Sequence, residues 1–193
     1  MNPWLAKAVV LIASIAMVLI RAPHGKRSRT LRVAKSRKGP LEIALLAFAW
    51  IAFFVPILWI VTPWLGFADF PLYPVPLVIG TVVLAFGLWL FHRSHVDLGA
   101  NWSITLEIRE SHHLVTEGVY RHVRHPMYLA LLLYGLGQAA LIPNWVAGPL
   151  YAVAMVLVFA FRLNPEEELM TEHFKGEYEA YAARTKRLIP GIW

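Results

Sequence analysis

Polar and apolar positions in this chain do not alternate; they come in blocks. Five apolar blocks, residues 4–20, 41–62, 72–91, 126–142 and 145–163, carry only three charged side chains between them, Lys7, Glu42 and Arg162. A membrane-crossing helix needs roughly 20 such residues at 1.5 Å rise per residue. The pattern predicts an all-α integral membrane protein of about five spans. Pro56 inside the second block predicts a kink, whose freed carbonyl neighbouring helices can satisfy. The third block enters through "FPLYPVP" and carries Gly80 and Gly87, which permit close approach of another helix. Only Pro143 and Asn144 separate the short fourth block from the fifth. These two read as a tight helical hairpin at the limit of the length needed for a full crossing.

The polar blocks fix an orientation. Eight of the eighteen Lys and Arg residues follow the first span in "RAPHGKRSRTLRVAKSRKGP", and most of the others lie between residues 93 and 124 or in the tail. The opposite loops, "PWLGFADFPLYP" and "PN", hold none. Short-loop bias of this kind places the basic side in the cytoplasm, with the N-terminus outside and the C-terminus inside. The first block has no small-residue cleavage site and is followed, not preceded, by its basic cluster, so it reads as a retained signal anchor.

Composition agrees with this class and narrows it. The 193 residues are 58% hydrophobic and 16% charged, enough for one membrane domain with its chemistry in residues 92–193. There is no cysteine, which excludes disulfides, thiolate metal sites and palmitoylation of this chain. The net charge of +6 is confined to loops on one face, so a membrane surface accounts for it and nucleic acid is not required.

Three polar segments share the cytosolic face. Residues 21–38 have no apolar period; they serve as the topology determinant, as a dock for anionic lipid, or as both. Residues 92–125 hold six of the eight histidines. A histidine cluster raises a metal site. Only His112 and His113 are adjacent, however, and scattered histidines near helix ends more often snorkel to the interface, so no metal is expected. The stretch "LVTEGVY" reads as a short extended segment broken by Gly118. Its backbone polar groups face either water or a protein-lined cavity. In the tail, Asn164, Pro165 and Glu167 form a helix-capping signature ahead of a face made by Met170, Phe174, Tyr178 and Tyr181. By that reading "EEE" caps a helix. It also lies beside Arg162, in the same zone as "YRHVRHPMY".

The combination "LGANWS", "HHLVTEGVYRHVRHPMY", a helical hairpin and "EEELMTEHFKGEYEAYAARTKRLIP" resembles the isoprenylcysteine carboxyl methyltransferases. These belong to a wider group of small membrane methyltransferases that includes phospholipid N-methylating enzymes. The resemblance covers about the C-terminal half; the first two spans match as hydrophobic segments only. It implies an S-adenosylmethionine site outside the Rossmann class. Carried over by motif, the cofactor contacts implied are Glu107, His112, His113, Leu114, Val115, Tyr120, His125, Pro126, Met127, Tyr128 and Glu167. Arg162 corresponds to the family arginine that contacts substrate, with snorkelling at a helix end as the plainer alternative.

These roles suit the residue types. Glu167 is a charge-assisted acceptor for an ammonium or a ribose diol. His112, His125 and exposed backbone N–H groups can donate to a carboxylate, and Tyr120, Tyr128 and Val115 can bound an adenine slot. The polar cofactor arrives from the cytosol and the lipophilic acceptor from the bilayer, so the site belongs at the inner interface. The leading expectation is methylation of the carboxylate of a prenylated cysteine or similar lipophilic acid. An amine acceptor such as a phospholipid, or a non-enzymatic lipid-binding module, are the alternatives.

Overall fold

The computed structural model describes residues 3–30, 33–36, 39–103, 105, 107–109 and 113–191. Among them are six α-helices: α1 (Pro3–Thr30), α2 (Pro40–Val61), α3 (Pro74–Leu98), α4 (Pro126–Leu141), α5 (Leu150–Phe174) and α6 (Gly176–Arg184). The fold is helical apart from one ribbon, in which β1 (Val33–Ser36) pairs antiparallel with β2 (Glu107–Arg109). Pro40, Pro74 and Pro126 each open a helix at a position where a missing N–H costs nothing.

Three helices are long and apolar enough to cross a membrane: Pro3–Gly25 within α1, then α2 and α3. Their outward faces stay apolar, with Ile12, Ile51 and Val82 all more than 60% exposed. That pattern fits a lipid environment and not water. α3 outruns its predicted end at Phe91 and continues to Leu98, so His92 and His95 are helical. The first arm of the hairpin is as short as expected. The 16 residues of α4 span about 24 Å, short of the roughly 30 Å hydrocarbon core.

α5 begins at Leu150, later than predicted, and runs unbroken through Pro165 to Phe174. Asn164 therefore does not cap a new helix. Proline at 165 removes one backbone bond, to the carbonyl of Phe161, without ending the helix. The break comes instead at Lys175, which has φ of 49° and turns the chain into α6. The predicted aromatic face is thus divided, with Met170 and Phe174 on α5 and the buried Tyr178 and Tyr181 on α6. Pro56 sits buried within a continuous α2.

The helices pack through small residues. A Cβ on Gly80 would lie 2.8 Å from the Gly137 carbonyl, and one on Gly137 would lie 2.7 Å from Leu84, so the α3 and α4 backbones touch. A ring cluster of Phe53, Tyr134 and Tyr151 joins α2, α4 and α5 at centroid distances of 5.6–6.2 Å. Ser14 of α1 lies 3.1 Å from the Tyr134 hydroxyl, which also accepts from Gln138 at 3.3 Å. At the end opposite the basic loops, the Asp69 carboxylate accepts from Trp59 at 2.7 Å and from Asn144 at 2.6 Å, tying the loop after α2 to the α4–α5 turn. At the other end the tail folds back. The N–H groups of Arg124 and His125 donate to the carbonyls of Lys186 and Arg187 at 2.8 and 3.0 Å.

Candidate active site

The polar ends of α1, α3, α4 and α5 surround a cavity of about 420 Å³. Its wall changes character along its length. Met17, Leu46, Phe53, Met155 and Val158 line one part, and Asn101, Glu107, His113, Arg124 and Glu166 line another. An apolar part between α1, α2 and α5 thus continues into a polar part beneath the "HLVTEGVYRHVRHP" segment.

That segment is held in place by specific contacts. Gly118 has φ of 60°, and a Cβ there would collide with the Asp97 carboxylate. Asp97 accepts from the Val119 N–H at 2.9 Å and from Arg93 at 2.8 Å, which pins the 3₁₀ turn Gly118–Arg121 to the end of α3. Tyr120, within that turn, is buried and faces the cavity. Its carbonyl accepts from the Tyr181 hydroxyl at 2.6 Å, and its own hydroxyl donates to the Ser94 carbonyl at 3.4 Å. Burial, then the nearby Glu166 carboxylate, push the Tyr120 phenol up, so it remains a neutral donor.

Most residues named from the sequence converge on this cavity: Glu107, His113, Leu114, Val115, Tyr120, His125, Met127, Tyr128 and Arg162 all line it. Glu107 accepts from the Ser103 hydroxyl at 3.1 Å. The His113 N–H donates to Asn101 Oδ1 at 3.3 Å, and the Asn101 amide lies 3.2 Å from His113 Nε2. Met127 Sδ accepts from Trp102 at 3.1 Å. His125 stacks on Tyr128, with centroids 5.5 Å apart. Pro126 is buried as the first residue of α4 and is absent from the lining. His112 lies outside the described residues.

Glu167 differs from expectation. Its carboxylate does not line the cavity and is held by three cationic or donor side chains. Arg124 Nε lies 2.8 Å away, His125 Nε2 3.2 Å and Arg187 Nη2 2.7 Å. Arg124 also donates to the carbonyls of Ala182 (3.0 Å) and Thr185, so the network binds α5, α6 and the tail to the start of α4. Burial works against the Glu167 anion, but the hydrogen bonds of His125 and Arg124 outweigh it and hold the carboxyl at about 2. The carboxylate that faces the cavity is the preceding residue, Glu166, which accepts from the Tyr128 hydroxyl at 2.5 Å and lies 3.8 Å from His125 Nδ1.

Two further features escaped the sequence reading. Glu42, buried in the first turn of α2, lies 3.3 Å from Arg162 Nη2. An acid at the start of an otherwise apolar span is costly without a partner, and that cost is a usable signal. Arg21, near the polar end of α1, also faces the cavity between Trp50 and Trp102, 5.4 Å from each ring. Among the described residues no three His, Cys, Asp or Glu side chains gather as a metal site.

Comparison with known proteins agrees with this architecture. Residues 78–172 match the sequence model of the isoprenylcysteine carboxyl methyltransferase family. A probable protein-S-isoprenylcysteine O-methyltransferase of Oryza sativa subsp. indica is 30% identical over 98% of this chain and 96% of its own length. The protein-S-isoprenylcysteine O-methyltransferase of Schizosaccharomyces pombe is 31% identical over 56% of this chain and 47% of its own. A solved eukaryotic intramembrane Ras methyltransferase of the isoprenylcysteine carboxyl methyltransferase type superposes with a TM-score of 0.54 at 26% identity. It covers 81% of this chain and 54% of the solved one.

Proposed function

The chain belongs to the isoprenylcysteine carboxyl methyltransferase family, and from that premise we propose that it transfers a methyl group from S-adenosylmethionine to the carboxylate of a prenylated cysteine or similar lipophilic acid. The observation that carries this reading is one cavity whose lining passes from apolar to polar side chains. A prenyl chain suits the side lined by Met17, Leu46, Phe53 and Met155, and a zwitterionic nucleoside suits the other.

The polar lining fits the cofactor group by group. Its ammonium and ribose diol need acceptors, which Glu166 and Glu107 supply in place of the expected Glu167. Its carboxylate needs donors, for which Asn101 and His113 are placed. Its adenine needs flat or apolar walls, available from Tyr120, Tyr128, Leu114 and Val115. A volume of about 420 Å³ lies in the ordinary range for such sites, roughly 300–1,000 Å³. When bound, the cofactor supplies an electrophilic sulfonium methyl.

The chain's own work is alignment. A carboxylate acceptor is already ionised at neutral pH, so no protein base is needed. Holding acceptor and methyl in line and excluding water can supply about 7–11 kcal/mol in the best model reactions. The resemblance assigns acceptor contact to Arg162, which lines the cavity with its guanidinium already paired to Glu42. Tyr128, hydrogen-bonded to Glu166, orients that carboxylate toward the polar chamber.

The reading includes five crossings with the N-terminus outside, α4 and α5 forming a hairpin that crosses a locally thinned or tilted environment. It also includes contact between anionic lipid and the basic residues 21–38. Because the chain has no cysteine, single cysteines placed in each loop report sidedness directly. The function itself is tested with radiolabelled S-adenosylmethionine and two acceptors, an N-capped S-farnesylcysteine and phosphatidylethanolamine. Base-labile methyl ester on the first is expected; alkali-stable label on the second alone would refute carboxyl methylation.

A further inference from the structure

We propose that Arg21 of α1 is the residue that binds the acceptor carboxylate and makes the site select an acid. The inference rests on the methyltransferase reading of the cavity and goes beyond it by naming the anion anchor. Four observations support it.

Arg21 lies near the polar end of α1 and lines the cavity, with Met17 and Val18 from the preceding turn on the apolar part of the same wall. Its guanidinium lies 5.4 Å from the rings of two tryptophans that come from different segments. Trp50 belongs to α2 beside the apolar chamber, and Trp102 follows α3 in the polar segment. An acceptor with a prenyl tail in the apolar chamber has its carboxylate where the two chambers meet. Arg21 is at that meeting point.

The conformation is not that of a snorkelling side chain. A snorkelling arginine extends outward along the helix to the headgroups. Arg21 instead points inward against two aromatic faces. Trp102 is itself buried and anchored by its ring N–H on Met127 Sδ at 3.1 Å. The guanidinium is thereby preorganised, and less freedom is lost when a planar anion binds in a bidentate way.

The third observation is charge accounting. The other arginines that line the cavity have internal carboxylates, Arg162 on Glu42 at 3.3 Å and Arg124 on Glu167 at 2.8 Å. Arg21 has no carboxylate within ion-pairing distance among the described residues. Its neighbours are the two indole faces, the Tyr151 phenol and the Arg162 guanidinium, none of them an anion. Cation–π contact offsets only part of the cost of holding a cation at this depth. An arriving carboxylate completes the compensation.

The fourth is the chemistry of selection. An amine acceptor would place a cation or a proton donor against a guanidinium, an unfavourable match; an acid acceptor places an anion there. One charge-assisted interaction of this type is worth about 1.5–3 kcal/mol, or roughly a 10- to 100-fold preference for acid over its neutral carboxamide.

The test measures binding, not turnover alone. Purified full chain is titrated calorimetrically with N-capped S-farnesylcysteine and with its carboxamide, as wild type, Arg21→Gln, Arg21→Lys and Arg162→Gln. Cofactor affinity in each variant serves as the check that the fold is intact. Wild type is expected to prefer the acid by at least about tenfold. Arg21→Gln is expected to bind acid and amide alike with cofactor affinity unchanged, and Arg21→Lys to keep a reduced preference because its charge remains and its fork geometry does not. The proposal is overturned if Arg21→Gln keeps the full acid preference, if wild type has none, or if the preference vanishes only in Arg162→Gln. Methyl transfer measured on the same preparations separates the two levels of inference. Acid-selective binding that depends on Arg21 without ester formation would refute the methyltransferase reading and leave the anion anchor standing.

Discussion

Glu166 and Glu167 are consecutive residues of α5 whose carboxylates face different surroundings. Glu166 borders the cavity and accepts from Tyr128 at 2.5 Å, while Glu167 is enclosed by Arg124, His125 and Arg187. One step along a helix rotates a side chain by about 100°, and here that rotation separates a cavity-lining acid from one enclosed by cations.

Substitution at the two positions should therefore fail in different ways. Glu166→Gln keeps the fold and loses a charged acceptor for the cofactor, so its cofactor Kd should rise by about 10- to 100-fold with little change in Tm. Glu167→Gln leaves arginines without their anion and should cost roughly 3 kcal/mol of stability. Calorimetric cofactor titration and thermal unfolding in detergent distinguish the pair; equal effects on both readouts would contradict the division of roles.

The same network predicts an acid limit. The Glu167 carboxyl is held at about 2, below its ordinary 4.5. A depressed carboxyl contributes stability that is fully present above the unfolded value and lost as pH falls through the folded one. Stability should be flat above about pH 5 and decline between about 4.5 and 2, by ~3 kcal/mol in all from this group. Unfolding midpoints collected across that range should show the decline in wild type and a reduced slope in Glu167→Gln. A wild-type profile that Glu167→Gln reproduces unchanged would assign the acid sensitivity elsewhere.

Gly118→Ala should disturb the site without touching any cavity-lining side chain. The substitution combines a positive φ with a collision against Asp97, which holds the Val119 N–H and Arg93. A misfit of this kind costs more than the ~1 kcal/mol of an ordinary glycine replacement. Because Tyr120 rides on the same turn, cofactor affinity should fall together with stability. A lowered Tm with unchanged cofactor binding would show that the turn does not position the site.

How far these roles could be read from residues alone depended on whether they were local. The ends of α2 differ from the apolar block by one residue each, because Pro40 and Thr62 mark them chemically. Gly80 and Gly87 signalled close helix packing, and both abut the α4 backbone. The Asn164–Pro165–Glu167 pattern misled as to the helix start because a capping signature and a proline inside a continuous helix share the same letters. Glu167 came from the motif, and a motif does not say which of two adjacent carboxylates borders the cavity. The partnerships of Arg21 with Trp50 and Trp102, and of Glu42 with Arg162, join segments far apart in sequence. No periodicity within one segment encodes such pairings.

The tail supplies the last prediction. Residues after α6 give His125 and Arg124 their backbone partners, Arg187 reaches Glu167 at 2.7 Å, and Leu188 is buried against the core. The tail thus acts as a strap across the start of α4, the element that carries His125, Met127 and Tyr128 into the cavity. Truncation after Thr185 removes two backbone bonds, one ion pair and one buried leucine. It should raise the cofactor Kd by at least about tenfold, while α1, α2 and α3 keep their membrane insertion because each is long and apolar enough to cross without the tail. Arg187→Ala alone should show a smaller effect of the same sign, since it leaves the backbone bonds and Leu188 in place. Protease protection in membranes together with cofactor titration decides the matter. Undiminished cofactor binding after truncation would show that α4 is positioned by its contacts with α3 and α5 alone.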